Sequence, residues 1–157
     1  MDVTLKAWSE TDFDDFKRLI TMPQIAENSN IQVQTPAAQQ RMFDNDRQQP
    51  YQTSIRLDNQ IIGGIIAYPV FTASQPETTL KYELSYFLDP TYWDNHIMTN
   101  AINVFIKSLP ATVQLQADAL KTNIASQKVL VNNHFQLIDT YVGFDGQIHR
   151  YYERLNH

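Results

Sequence analysis

The sequence predicts an α+β fold with a mixed, mostly antiparallel sheet flanked by helices, and three features carry that prediction. Two apolar runs, Tyr51 to Leu57 and Ile61 to Val70, are joined by Asp58, Asn59 and Gln60 and read as an antiparallel hairpin. From Thr79 to Leu88 the residues alternate, with Leu80, Tyr82, Leu84, Tyr86 and Leu88 on one face and Lys81, Glu83, Ser85 and Phe87 on the other. After that strand, helical and strand patterns alternate, so a strand-helix-strand crossover enters a sheet that began antiparallel.

The chain has 157 residues, enough for one sizeable core, so residues 1–157 are read as a single domain. Its net charge of -5, with 12 scattered Lys and Arg, leaves no basic surface to neutralise phosphates and speaks against nucleic-acid binding. With Cys at 0, disulfides, thiolate metal sites and a Cys nucleophile are excluded. The start shows no basic stretch before an apolar run, and the longest apolar run, Ile61 to Phe71, is too short to span a bilayer. The expectation is a soluble, cytoplasmic protein without membrane or metal partners.

In chain order, Thr4 to Trp8 reads as a first strand. Ser9 to Asp12 supply N-cap residues for a helix with Phe13, Phe16, Leu19 and Ile20 at helical spacing. Residues 21–35 hold Pro23 and a polar run at 28–30 and are expected to be a loop. A second helix opens at Thr35-Pro36, where proline is tolerated in the first turn, and runs to about Asp46. Gly63 and Gly64, inside the second hairpin strand, mark a bulge or a close backbone approach. Asp89 to Asn95 is a loop. Ile97, Met98, Ala101, Ile102, Val104, Phe105 and Leu109 then form an apolar helical stripe that Pro110 ends. Val113 to Ala117 is a short strand, 123–133 a helix, and 135–143 with 148–155 a closing hairpin about Asp145-Gly146.

Two segments carry the chemistry. In the helix at 123–133, Asn123 is a good N-cap and Ser126 lies three residues on, near the same end; His134-Phe135 then leads into a strand. Glu83 lies on the alternating strand with Ser85 and Phe87, where it either faces a cleft or is a solvated neighbour of Lys81. These segments resemble the GNAT superfamily of N-acetyltransferases, nearest the branch that acetylates ribosomal-protein N-termini. There Asn-x-x-Ser is followed about nine residues later by Gly-Phe, and here His134 replaces the glycine. The family segment Glu-Leu-Gly-Tyr-Trp-Leu-Asp-Pro is echoed by Glu83-Leu-Ser-Tyr-Phe-Leu-Asp-Pro90. The element order agrees from end to end.

The resemblance implies an acetyl-CoA co-substrate and a primary amine acceptor, at a peptide or protein N-terminus or on a small amine, joined by direct attack. Glu83 is then the general base, since an ammonium of the lysine kind, with a pKa near ~10.4, must lose a proton before it attacks. Ser126 is the hydrogen-bonding acid for the departing thiolate; its alternative is ordinary capping. Asn123 holds the pantetheine arm, and the backbone of Ser85, Tyr86, Phe87 and Leu88 lines the cofactor, a bulge there freeing an N–H for the oxyanion. The pyrophosphate belongs to Asp94, Asn95, His96, Ile97 and Met98 at a helix start.

That loop departs from the family pattern Gln/Arg-x-x-Gly-x-Gly/Ala. Thr91-Tyr-Trp-Asp94-Asn95-His96 has neither glycine, and Asp94 sets a carboxylate where a dianion belongs. Asp and Asn tolerate left-handed backbone angles, so a related loop shape is compatible with the sequence. The loss also supports a second reading, a weak or inactive descendant that binds a ligand or partner, and a third is an unrelated ligand-binding α+β domain. The acceptor pocket is expected from the first helices and the 71–78 loop. Histidines 96, 134, 149 and 157 lack metal-ligand spacing and are read as satisfied or exposed. The oligomeric state is open, a homodimer included.

Overall fold

The computed structural model describes residues 2–29, 35–71 and 80–154. The expected positions Thr79 and Leu155, most of the 71–78 loop and His157 lie outside them. The strands are β1 (Val3–Lys6), β2 (Gln52–Leu57), β3 (Gln60–Pro69), β4 (Lys81–Leu88), β5 (Gln114–Leu120), β6 (Phe135–Val142) and β7 (Ile148–Arg154). The helices are α1 (Phe13–Ile20), α2 (Pro23–Ser29), α3 (Pro36–Arg47), α4 (Ile97–Ser108) and α5 (Ile124–Asn132). One sheet runs in the order β1-β2-β3-β4-β5-β7-β6. Among the described residues only β4 and β5 pair in parallel; every other pair is antiparallel, as the element order predicts.

The hairpin of β2 and β3 turns on Asp58 and Asn59, both left-handed at φ 50° and 71°, which matches the twist of the strands it joins. Both readings of the glycine pair are realised. Register shifts between Ile55 and Arg56, leaving Ile62 as the extra residue of a bulge. A Cβ on Gly63 would stand 2.4 Å from the Phe87 carbonyl oxygen, so β3 approaches β4 more closely there than a side chain permits.

The loop expectation for 21–35 is corrected over Pro23–Ser29, which form α2, while its part at 30–34 lies outside the described residues. Proline in the first turn forfeits an N–H that has no helical acceptor anyway. Ile25 is then driven into a cluster with Trp8, Phe16, Leu19 and Phe43, and that burial overrides the polar local sequence. β5 is also longer than expected: Leu115, Ala117 and Ala119 are buried while Gln116 and Asp118 turn to the other face. A second cluster packs Met98, Ala101, Ile102 and Phe105 of α4 and Leu130 of α5 on Leu84, Leu88 and Leu115. Truncating a buried ring such as Phe16 or Phe105 is expected to cost roughly 3–5 kcal/mol. Neighbours on β4 serve opposite layers, Phe87 stacking on Trp8 and Leu88 facing α4.

Candidate active site

β4 and β5 pair over Lys81↔Gln114, Tyr82↔Leu115 and Glu83↔Gln116, and no further. Beyond Glu83 the strands part, and β4 keeps only its β3 neighbour, in unbroken register from Pro69↔Tyr82 to Gly63↔Leu88. The expected bulge on β4 is therefore absent. The β5-side edge of β4 is freed by separation of the strands, while β5 stays paired with β7 as far as Leu120↔His149. The gap opens into a cleft of about 620 Å³. Glu83, Ser85, Tyr86, Phe87, Leu88, Asp94, Asn95, His96, Ile97, Met98, Asn123 and Ser126 all line it.

Glu83 stands at the vertex of the gap, half-buried, opposite Gln116. Burial and the nearby charge of Asp118 raise its pKa, against a hydrogen bond from Gln116 that lowers it. Such a carboxyl holds a proton more readily than one in water. Across the same face its β3 partner Tyr68 donates to the buried Asp46 carboxylate at 2.6 Å.

On the opposite face, Tyr86 reaches across the gap to α5. Its hydroxyl lies 2.6 Å from Ser126 Oγ, and 3.3 Å from the Ser126 carbonyl. The helix start is fixed by Asn123, whose Oδ1 accepts the Ser126 N–H at 3.2 Å. Asn133 locks the other end, donating to Thr99 O of α4 at 3.2 Å and to Val129 O at 3.0 Å.

The loop before α4 keeps a backbone that its sequence disfavours. Asp94 and His96, the two positions matched to the missing glycines, have φ 64° and 59°. His134, which replaces the third glycine, has φ 68°. All three L-residues hold the left-handed angle for which glycine is best suited. His96 offers α4 no side-chain cap, and no acidic residue occupies its first turn. The first N–H groups of the helix therefore point at the cleft mouth without an intrahelical acceptor. Asn95 does not reach outward as a donor, for its Nδ2 is turned to Trp93 O at 3.1 Å.

Sequence reading missed the outer wall. Asp118, Tyr141 and His149 line the cleft beside Glu83. His149 Nδ1 lies 2.9 Å from Asp118 Oδ1, and Nε2 lies 2.9 Å from Asp145 Oδ2. Tyr141 donates to the other Asp118 oxygen and stacks on the His149 ring at 5.2 Å. Only a doubly protonated imidazole donates on both sides. Burial works against that charge, but the two carboxylates outweigh it and raise the His149 pKa. The one local signal was Asp118 itself, an acid between two alanines of a strand. His149 is thus satisfied, as expected of it, and among the described residues no group of side chains is arranged to hold a metal ion.

A family model described as an acetyltransferase (GNAT) domain matches residues 2–136. The chain belongs to the GNAT acetyltransferase family. Solved GNAT-fold structures superpose over nearly the whole of it. A GNAT-family acetyltransferase from Bacillus anthracis has a TM-score of 0.81 at 13% identity, covering 99% of this chain and 96% of the other. A ribosomal-protein-S5-alanine acetyltransferase from Vibrio fischeri gives 0.80 at 17% identity, over 99% and 94%. An aminoglycoside acetyltransferase in complex with coenzyme A gives 0.75 at 16% identity, over 98% and 94%. These likenesses establish the fold. No curated protein sequence matches significantly. No helix among the described residues is long and apolar enough to cross a membrane.

Proposed function

We propose that this GNAT-family chain is a cytoplasmic, single-domain N-acetyltransferase that moves the acetyl group of acetyl-CoA to a primary amine by direct attack. The separation of β4 from β5 immediately after Glu83 supports this reading above all, because it places a carboxyl of raised proton affinity beside an unpaired strand edge. The free edge suits the pantetheine arm and an oxyanion, both of which take up backbone N–H groups. The uncapped start of α4 suits a pyrophosphate, and its left-handed residues preserve the loop shape. Asp94 is the poor fit, a carboxylate at the place of a dianion.

Glu83 would take a proton from the acceptor ammonium, directly or through a water, from the face it shares with Tyr68 and Asp118. Its raised pKa brings it nearer the optimum for proton transfer at neutral pH. Ser126, on the far face, would hydrogen-bond the sulfur as negative charge builds there. Holding donor and acceptor across one gap supplies the remainder of the acceleration. Within the family we favour peptide or protein N-terminal amines as acceptors, on the echo of the Glu83 to Pro90 segment and the Asn123, Ser126 pair. Release of free thiol from acetyl-CoA with a panel of N-terminal peptides and small amines tests this, and thiol release with none of them contradicts it.

The replaced loop glycines favour a second reading, a weak or inactive family member that binds a ligand or partner. Absence of a thermal shift at millimolar acetyl-CoA would favour it, since a ligand at 100 times its Kd stabilises by about 2.7 kcal/mol.

A further inference from the structure

The reaction outlined above gives Tyr86 no side-chain role, yet its hydroxyl meets Ser126 Oγ at 2.6 Å inside the cleft. A serine hydroxyl carries one hydrogen and rotates freely, so its neighbours decide where that hydrogen points. If Ser126 donated to Tyr86, it would turn only lone pairs to a sulfur gaining negative charge. If Tyr86 donates to Ser126, the serine hydrogen is free to face the sulfur.

We propose that Tyr86 is a positioning residue for the leaving group, donating to Ser126 Oγ so that the Ser126 hydroxyl points its hydrogen at the thioester sulfur. This rests on the reading of the cleft as an acetyl-CoA site. A phenol is the stronger donor of the two hydroxyls, and Ser126 Oγ at 2.6 Å is a nearer acceptor for it than the Ser126 carbonyl at 3.3 Å, so the pair is polarised from Tyr86 to Ser126. Burial raises the Tyr86 pKa, so the phenol keeps its proton throughout the working pH range. Asn123 accepts the Ser126 backbone N–H at 3.2 Å and so fixes the helical turn that carries the Ser126 hydroxyl. Neither hydroxyl has to ionise. The N–C bond forms, the C–S bond breaks with its electron pair on sulfur, and the proton lost by the amine balances the thiolate. Tyr86 and Ser126 supply oriented hydrogen bonds to that charge while it exists.

The pKa of the bound coenzyme A thiol reads this directly and needs no acceptor. It is followed by carbon-13 NMR of coenzyme A labelled beside sulfur, in the wild type, Tyr86→Phe, Ser126→Ala and the double variant. Tyr86→Phe is expected to raise the bound thiol pKa by about one unit, a tenfold loss of thiolate stabilisation. Ser126→Ala is expected to raise it at least as far, with the double variant no worse than Ser126→Ala alone. Unchanged coenzyme A affinity in Tyr86→Phe confirms that the site survives the substitution. A Tyr86→Phe value equal to the wild type's overturns the proposal, as does an effect that persists in the Ser126→Ala background. Failure of the wild type to bind coenzyme A overturns instead the reading on which the proposal rests.

Discussion

Glu83 and Gln116 form the last cross-strand pair before β4 and β5 separate. The position couples two demands. Gln116 donates to the carboxylate, while burial and Asp118 push its pKa up. The fold thus disfavours the ionised form of Glu83 relative to water, a pattern that recurs at functional sites.

Replacing Glu83 with Gln is therefore expected to separate activity from stability. Thiol release with a primary amine falls by roughly 10²–10⁴ if Glu83 is the general base. Calorimetric affinity for acetyl-CoA stays within about twofold, a change of under half a kcal/mol. Stability at neutral pH rises, because a carboxyl of raised pKa penalises the folded state above its unfolded value. A rate near that of the wild type rejects Glu83 as base.

Asp94→Gly is expected to tighten acetyl-CoA binding. It removes a negative charge from the loop and a side chain from a backbone held at φ 64°. A gain of about 1 kcal/mol corresponds to roughly fivefold in Kd. Titration calorimetry of the two proteins decides it, and equal or weaker binding in the variant would show that the pyrophosphate does not lie at this loop.

His134→Gly tests the same backbone logic away from any ligand. His134 follows the cap of α5 at φ 68°, and its N–H donates to Val131 O at 3.1 Å, a position where glycine commonly ends a helix. The exposed imidazole has no partner there to lose among the described contacts. Relief of the left-handed angle is expected to raise unfolding free energy by about 1 kcal/mol in urea titrations. A loss of stability would mean that the histidine side chain holds the turn.

Asp46 is expected to make stability depend on pH. Burial pushes its pKa to about 6 from 3.8, against the hydrogen bond from Tyr68 that lowers it. The folded state binds the proton more tightly, so stability falls as pH rises from about 4 to 6 and levels off above. The full span is on the order of 3 kcal/mol. Asp46→Asn keeps an acceptor for Tyr68 and is expected to flatten that part of the curve and raise stability at pH 7. Urea denaturation across the window, unchanged by the substitution, would contradict this.

The sheet was legible because its strands alternate and its hairpin carries a turn of Asp and Asn. The parallel crossover followed from element order alone. α2 was not legible, since seven residues opened by proline form a helix only when Ile25 finds Trp8 and Phe16. The inner line of the cleft, from Glu83 to Leu88 and from Asn123 to Ser126, was readable as local segments. Its outer wall was not: Asp118, Tyr141, Asp145 and His149 meet only once β5, β6 and β7 take their places. The glycine substitutions gave the opposite lesson. Residues 94, 96 and 134 are not glycine, yet they take left-handed φ values of 64°, 59° and 68°, in keeping with the related loop shape that the sequence left open before α4.

The central claim is that the gap between β4 and β5 seats acetyl-CoA, and isothermal titration calorimetry of the unmodified protein with acetyl-CoA tests it most directly. The account predicts saturable binding at one site per chain, with a Kd between roughly 1 μM and 1 mM, the span usual for enzyme substrates. No saturable heat at millimolar acetyl-CoA, together with no thermal shift, would contradict it.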